Sequence, residues 1–211
     1  MSDKIVTVFG SSSTLTGELQ KIFKTKCYGR SEGFDLGKVF ESGYLCSFMH
    51  ESSKFIINIG LLRSKQILNC TRYEAEESMY VNCLAVIRMC EEILDRIEDA
   101  EIVIIGSESG TKGSFDTCYF LANAAINSYV RERKVSKLQR LLVVAPSTIE
   151  DSNMTKARTD LDRLEIYRTQ HPKGRFLRMS ELAELIALVF DSSVYFTNDV
   201  IEFNGGKLAR M

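Results

Sequence analysis

The sequence predicts an α/β protein built as a doubly wound parallel sheet. Three observations predict it: five short β-branched apolar runs, longer helical patterns between them, and no internal break. The runs are "IVTVF" (5–9), "FIINI" (55–59), residues 102–105, "LLVVA" (141–145) and "DVIEF" (199–203). Near-continuous apolar strands separated by helices mark a parallel sheet covered on both faces. With two prolines, no low-complexity linker and no repeat, a single domain over residues 1–211 is expected.

The helical segments fall at 14–24, 38–49, 77–97, 118–134, 159–168 and 181–190. In the third, Met79, Ala85, Val86, Met89, Cys90, Ile93 and Ile97 make a stripe, and Leu84, Ile87 and Leu94 widen it around the helix. A helix apolar over so much of its surface covers the sheet and also meets a neighbour, either a second helix of the same chain or a partner subunit. The segment 118–134 runs into the basic stretch "RERKVSKLQR" (131–140), which reads as a solvated helix end where cations offset the macrodipole. After the last strand, the glycine pair of "EFNGGK" reads as a tight turn.

Composition excludes several functions. Hydrophobic residues are 45% and charged residues 26%, as in ordinary soluble domains. A net charge of -1 with interleaved signs lacks the basic field that nucleic-acid binding requires. No run approaches the roughly 18 apolar residues of a membrane span, and the apolar stretch in "MSDKIVTVFG" is too short for a signal peptide, so a cytoplasmic protein is expected. The six cysteines (27, 46, 70, 83, 90, 118) form no CxxC pair and suit thiols in a reducing compartment. With only His50 and His171 besides, no metal-ligand spacing appears.

After the first run comes "FGSSSTLTGELQKIF", a small-residue turn entering a helix. In such a turn a glycine permits close backbone approach, and helix N-terminal N–H groups hold a pyrophosphate. Gly17 comes too late for G-x-G-x-x-G, and an ordinary capped turn is the other reading. Twenty positions beyond Gly10 stands Arg30. A cation there suits a ribose 2'-phosphate and favours NADP over NAD, the alternative being a surface arginine after a strand.

In order along the chain, these pieces resemble the short-chain dehydrogenase/reductase family. The turn is similar to that family's TGxxxGxG loop, with Gly10 kept, Thr14 and Thr16 at the later glycine places, and Ser12, Ser13, Thr14 and Leu15 placed against the phosphates. "RSEGFDL" resembles its cofactor-selecting basic residue, Arg30, followed by the adenine-contacting Asp35 with Leu36. "INIG" resembles its NNAG through Asn58 and Gly60, and "VNCLAV" carries Asn82 at its helix asparagine. Ser107 falls at the catalytic serine, and Tyr119, 12 positions later, at the tyrosine of YxxxK, with Asn123 in the lysine's place. "VVAPSTIEDSNMT" resembles the PG segment beside the nicotinamide through Pro146 and Ile149, with Ser147 replacing the glycine. "VIEFNGGK" resembles the final strand and its DGG turn.

The resemblance implies a Rossmann-like fold. The short stretch between Arg30 and Phe34 implies that the usual second helix is missing and its following strand shortened. It further implies that Tyr119 gives or takes the proton at the substrate oxygen, Ser107 hydrogen-bonds that oxygen, and Asn82 holds a water in the proton path. The missing lysine would have held the ribose and lowered the tyrosine pKa. A nearby cation lowers an acid's pKa by about 1–3 units, and free tyrosine sits near 10. Its loss harms oxidation, which begins from tyrosinate, more than reduction. Lys112, in the loop between Ser107 and Tyr119, is a replacement cation to test. Without the resemblance, Tyr119 reads as a packing residue, Ser107 as a turn cap and Asn82 as a brace. The expected activity is an NADP(H)-dependent reduction of a small carbonyl substrate, polar or anionic because residues 149–176 carry Arg158, Arg163 and Arg168. The alternative is a catalytically silent relative, a nucleotide sensor or structural subunit. A homodimer or homotetramer through the helices at 77–97 and 118–134 is implied.

Overall fold

The computed structural model describes residues 5–49, 52–158 and 161–208. The strands are β1 (Val6–Phe9), β2 (Thr25–Tyr28), β3 (Lys54–Ile57), β4 (Glu101–Ile105), β5 (Arg140–Pro146) and β6 (Asp199–Phe203). The helices are α1 (Thr14–Ile22), α2 (Arg72–Met79), α3 (Ala85–Arg96), α4 (Ser109–Lys112), α5 (Thr117–Glu132), α6 (Asn153–Lys156), α7 (Leu161–Thr169) and α8 (Met179–Asp191). All strands pair in parallel in the order β2-β1-β3-β4-β5-β6, a Rossmann-like doubly wound sheet.

Side-chain alternation explains the two layers of helices. Phe9, Phe55, Ile57, Ile102, Ile104, Leu141 and Val143 face one core with α3 and α5. Val6, Val8, Ile56, Val103, Leu142 and Val144 face the other, with α1 and α8. Successive residues of a strand point to opposite faces, so a run apolar at every position is stable only when both faces are covered. Register brings Phe9, Ile57 and Ile104 level at one edge, so the turns after β1, β3 and β4 emerge side by side.

The expected helix at 38–49 is absent. That segment holds two 3-10 turns, Leu36–Lys38 and Leu45–Phe48, with Gly43 between them at φ +76. A left-handed glycine interrupts a helix, and Phe34, Tyr44 and Phe48 pack on one another and on Phe9 and Tyr28 as an aromatic cluster. Among the described residues no strand lies between β2 and β3, so the expected shortened strand is missing too, and β2 is itself the sheet edge. The long helix begins at Arg72, five residues earlier than its apolar stripe suggested, because Thr71 and Glu74 form a capping box. It continues through a π turn, Tyr80–Leu84, into α3. Of the helix expected at 159–168, residues 159 and 160 lie outside the described residues, as does His50.

Candidate active site

The sheet order reverses between β1 and β3, where open α/β sheets place their ligands beyond the strand ends. A cleft of about 500 Å³ opens there. Gly10 sits at φ +115, and a Cβ on it would lie 2.2 Å from the Asn58 carbonyl oxygen, so only glycine lets these two turns touch. Ser13 caps α1 by accepting from Leu15 N at 3.0 Å, and its hydroxyl also accepts from Asn58 Nδ2 at 2.6 Å. The turns after β1 and β3 are thereby locked together.

The two threonines at the expected glycine places behave differently. Thr16 is buried and its hydroxyl donates to the Gly10 carbonyl at 2.9 Å, bracing the turn from within. Thr16 does not line the cleft. Thr14 does line the cleft, its hydroxyl donating to the Asp151 carbonyl at 3.4 Å. A glycine cradle, two serine hydroxyls and the start of a nine-residue helix fit a pyrophosphate.

Asn82 lies in the π turn, where the widened helix turns its amide toward the strand ends. Its Oδ1 accepts from Leu61 N at 2.7 Å, and its Nδ2 donates to the carbonyls of Leu61 at 2.8 Å and Ser78 at 2.9 Å. Both ends of the amide brace the segment after β3. Gly60 packs beneath it, where a Cβ would meet Asn82 Oδ1 at 3.6 Å.

Ser107 follows β4 through Gly106, where a Cβ would clash with Val143 at 2.7 Å. Tyr119 sits in the first turn of α5, and Asn123 one turn later donates from Nδ2 to the Tyr119 carbonyl at 2.9 Å. Burial pushes the Tyr119 phenol above its ordinary value of 10. Side-chain hydrogen bonds with Ser107 and Asn123 pull it partway back, and the Asp116 charge pushes it up again. Serine, tyrosine and asparagine thus converge, and none of the groups acting on the phenol is a cation.

Asp116 escaped sequence reasoning. It is buried, caps α5 by accepting from Tyr119 N at 3.0 Å, and accepts from Arg63 N at 2.8 Å and Ser64 N at 2.9 Å. One carboxylate therefore fixes the tyrosine helix and the cleft segment after β3. An aspartate directly before a helical run is a readable N-cap signal. Lys112 lines the cleft, yet its Nζ lies 2.6 Å from Glu108 Oε1, and Lys207 approaches the same oxygen at 2.8 Å. Burial lowers the Lys112 pKa and the Glu108 contact opposes that. Glu108 stands four residues before Lys112, a spacing that pairs opposite charges on one helix face.

Of the other expected residues, Ser12, Leu15, Pro146 and Ile149 line the cleft, with Ile149 pinned by a bridge to Leu177. Ser152, Thr155 and Arg158 join them. Arg30, Asp35 and Leu36 stand apart from it. Arg30 is exposed on the 3-10 turn Arg30–Glu32. Asp35 accepts from Gly37 N at 2.9 Å, and the Leu36 carbonyl accepts from the Tyr80 hydroxyl at 2.9 Å. Glu32 instead lies beside the glycine turn, hydrogen-bonded by Ser11 and Ser31, which hold its carboxyl below the usual range.

The family model described as Enoyl-(Acyl carrier protein) reductase matches residues 52–207. The chain belongs to the short-chain dehydrogenase/reductase family. The fold of this family member is shared by a short-chain dehydrogenase/reductase, glucose/ribitol dehydrogenase, from Brucella melitensis, at 18% identity and TM-score 0.86, covering 100% of this chain and 98% of that one. An aldohexose dehydrogenase of Thermoplasma acidophilum matches at 18% identity and TM-score 0.79, covering 99% and 95%. A small-chain dehydrogenase in complex with NADPH matches at 18% identity and TM-score 0.82, covering 99% and 100%. No curated protein matches the chain by sequence.

Proposed function

We propose that this short-chain dehydrogenase/reductase reduces a small carbonyl compound with NADP(H). The observation that carries this reading is the convergence of Ser107, Tyr119 and Asn123 on the cleft that also holds the Gly10 turn. Gly10, Ser12, Ser13, Thr14 and Leu15 would hold the pyrophosphate, and Asn58, Gly60, Pro146 and Ile149 the nicotinamide half. When bound there, the nucleotide would supply a hydride to the carbonyl carbon. Ser107 donates a hydrogen bond to the substrate oxygen and orients it. Tyr119 is the general acid, transferring its phenolic proton to that oxygen as negative charge develops. Asn123 binds ribose without bringing a charge, and Asn82 holds the cleft segment and the proton path in place. Arg158 on the cleft wall supports a polar or anionic substrate.

Arg30 is the group assigned to a 2'-phosphate and Asp35 with Leu36 to adenine. NADPH in the structurally similar small-chain dehydrogenase supports the choice of nucleotide. Free thiols at all six cysteines suit a reducing cytoplasm. A homodimer or homotetramer through α3 and α5 completes this reading.

A second reading, a nucleotide sensor or structural subunit without turnover, is favoured by the engagement of Lys112 with Glu108, which leaves Tyr119 without a cationic neighbour. Calorimetric titration with NADPH and NADH, followed by a panel of carbonyl compounds, separates the two. Nucleotide consumption supports the reductase. Tight binding without consumption supports the sensor, and no binding of either nucleotide supports the structural role.

A further inference from the structure

A second groove lies at the far end of the sheet from the cleft. Strand β5 ends at Pro146, which lines the cleft, whereas Gln139, directly before its start at Arg140, lines this groove. The seven residues of that strand set the two about 20 Å apart. The groove, of about 670 Å³, is walled by the end of α5 with the segment after it, and by the segment before β6. Two amides fix its shape. Gln139 donates from Nε2 to the carbonyls of Leu94 at 2.6 Å and Ile97 at 2.9 Å, and its Oε1 accepts from Ser136 N at 3.0 Å. Asn198 donates from Nδ2 to the carbonyls of Val130 at 2.8 Å and Arg133 at 2.5 Å, and its N–H donates to the Leu141 carbonyl at 2.8 Å. Carbonyls at the end of α5 are thereby satisfied from the entry to β6, and the groove is organised before anything binds.

The lining joins unpaired charge to bare apolar surface. The side chains of Arg131, Lys134 and Lys137 are exposed and make no ion pair or hydrogen bond among the described residues, while Arg133 is held by Glu91 at 2.7 Å. Glu132 is the one acid of the lining, so three free cations face one carboxylate on a chain whose net charge is -1. From the segment before β6, Tyr195 is 95% exposed and Val194 43% exposed, and neither belongs to a core.

We infer that this groove docks an acidic peptide segment of a partner protein. Its carboxylates meet the ammonium groups of Lys134 and Lys137 and the Arg131 guanidinium, and an apolar side chain beside them covers Tyr195 and Val194. The mixture decides the class of ligand. A lone carboxylate or phosphate would leave the tyrosine uncovered, and a nucleic acid needs a continuous basic field that Glu132 and the net charge deny. A peptide carries both kinds of group on one chain. The groove shares no lining residue with the cleft, so the docking stands whether or not the cleft turns over a carbonyl compound.

The test uses the full-length protein as bait for a phage-displayed library of random peptides, with the variant carrying Lys134→Glu and Lys137→Glu as the counter-selection bait. Enriched peptides are expected to set clustered aspartates or glutamates beside an aromatic or aliphatic residue. A labelled peptide of that consensus is then titrated by fluorescence anisotropy. The double charge reversal should weaken its binding by at least about tenfold, Tyr195→Ala by about fivefold or more, and high salt should weaken it further. These side chains are exposed, so the variants keep the native melting curve. No enrichment, enrichment without acidic residues, or equal enrichment on the double variant overturns the docking. A single-stranded oligonucleotide that binds as tightly as the consensus peptide overturns it too, by making the groove a general polyanion site.

Discussion

At Tyr119 the balance of charges would set the direction of the proposed reaction. Burial and Asp116 both favour the neutral phenol, and no cation opposes them. A phenol whose folded pKa lies above 10 is protonated at every pH from 6 to 9, so a general acid is always in place and a general base almost never. Carbonyl reduction should therefore be flat over that range, while alcohol oxidation should climb by about tenfold per pH unit. A reductive rate that falls on passing pH 8 would contradict this assignment. Tyr119→Phe should lower turnover by at least about a hundredfold with nucleotide affinity unchanged. Asn123→Lys restores a cation one helical turn away and should speed oxidation at pH 7 by about tenfold or more, with a smaller effect on reduction. Glu32 works against the proposed 2'-phosphate, since its carboxylate is clasped beside the glycine turn by Ser11 and Ser31. Glu32→Gln should tighten NADPH by about threefold or more and leave NADH nearly unchanged, a difference read by calorimetry and weakened by salt.

Elements were legible where one physical rule governs them. Strands β1, β3, β4 and β5 are apolar at successive positions because both faces are covered, and that pattern can be read without coordinates. Strand β2, "TKCY", is half-buried throughout and sits at the sheet edge, so it lacks the apolar run that marks the others. Residues 38–49 carry Val39, Phe40, Tyr44, Leu45 and Phe48 at near-helical spacing, but an aromatic cluster and a left-handed glycine decide their shape. In the site, Gly10, Ser107, Tyr119 and Asn123 were readable from motif order. The Asp116 brace to Arg63 and Ser64 and the Lys207–Glu108 pair were not, since each joins segments far apart in sequence. Asp116→Ala removes a cap and strands two further N–H donors, which should cost about 2–4 kcal/mol in urea unfolding. Arg140 makes a second such joint: it is buried at the start of β5, pairs with Glu101, and donates to the Val189 carbonyl at 2.7 Å and Ser192 Oγ at 2.8 Å. Arg140→Ala leaves the end of α8 and a carboxylate without their partner, and should cost about 3–5 kcal/mol. A loss under 1 kcal/mol would mean that water replaces the guanidinium.

Across the whole molecule, several large apolar side chains of the described residues stand exposed, and two of them lie on the long helix and α5. The long helix buries its inner face against the sheet, and α5 packs beside its π turn. On the outward side Leu84 is 51% exposed and Leu121 46% exposed, where a solvated helix would carry polar residues. Tyr73, 70% exposed, extends the same apolar character to α2. Exposed apolar side chains on two elements of one layer are what the proposed homodimer or homotetramer would cover, and a two-fold pairing would set the same patch of each copy against the other. Neither Leu84 nor Leu121 lines the cleft. Pairing two copies through them would bury these leucines without using a residue of the cleft lining. Light scattering of the native chain is expected to give a mass of two or four subunits, and Leu84→Glu with Leu121→Glu should give one. Exposed substitutions normally shift stability by within about 0.5 kcal/mol, so the double variant should keep its far-ultraviolet spectrum and its nucleotide affinity. A native chain that stays monomeric at high concentration would remove the association, and would leave these leucines as exposed apolar surface with no partner of their own kind.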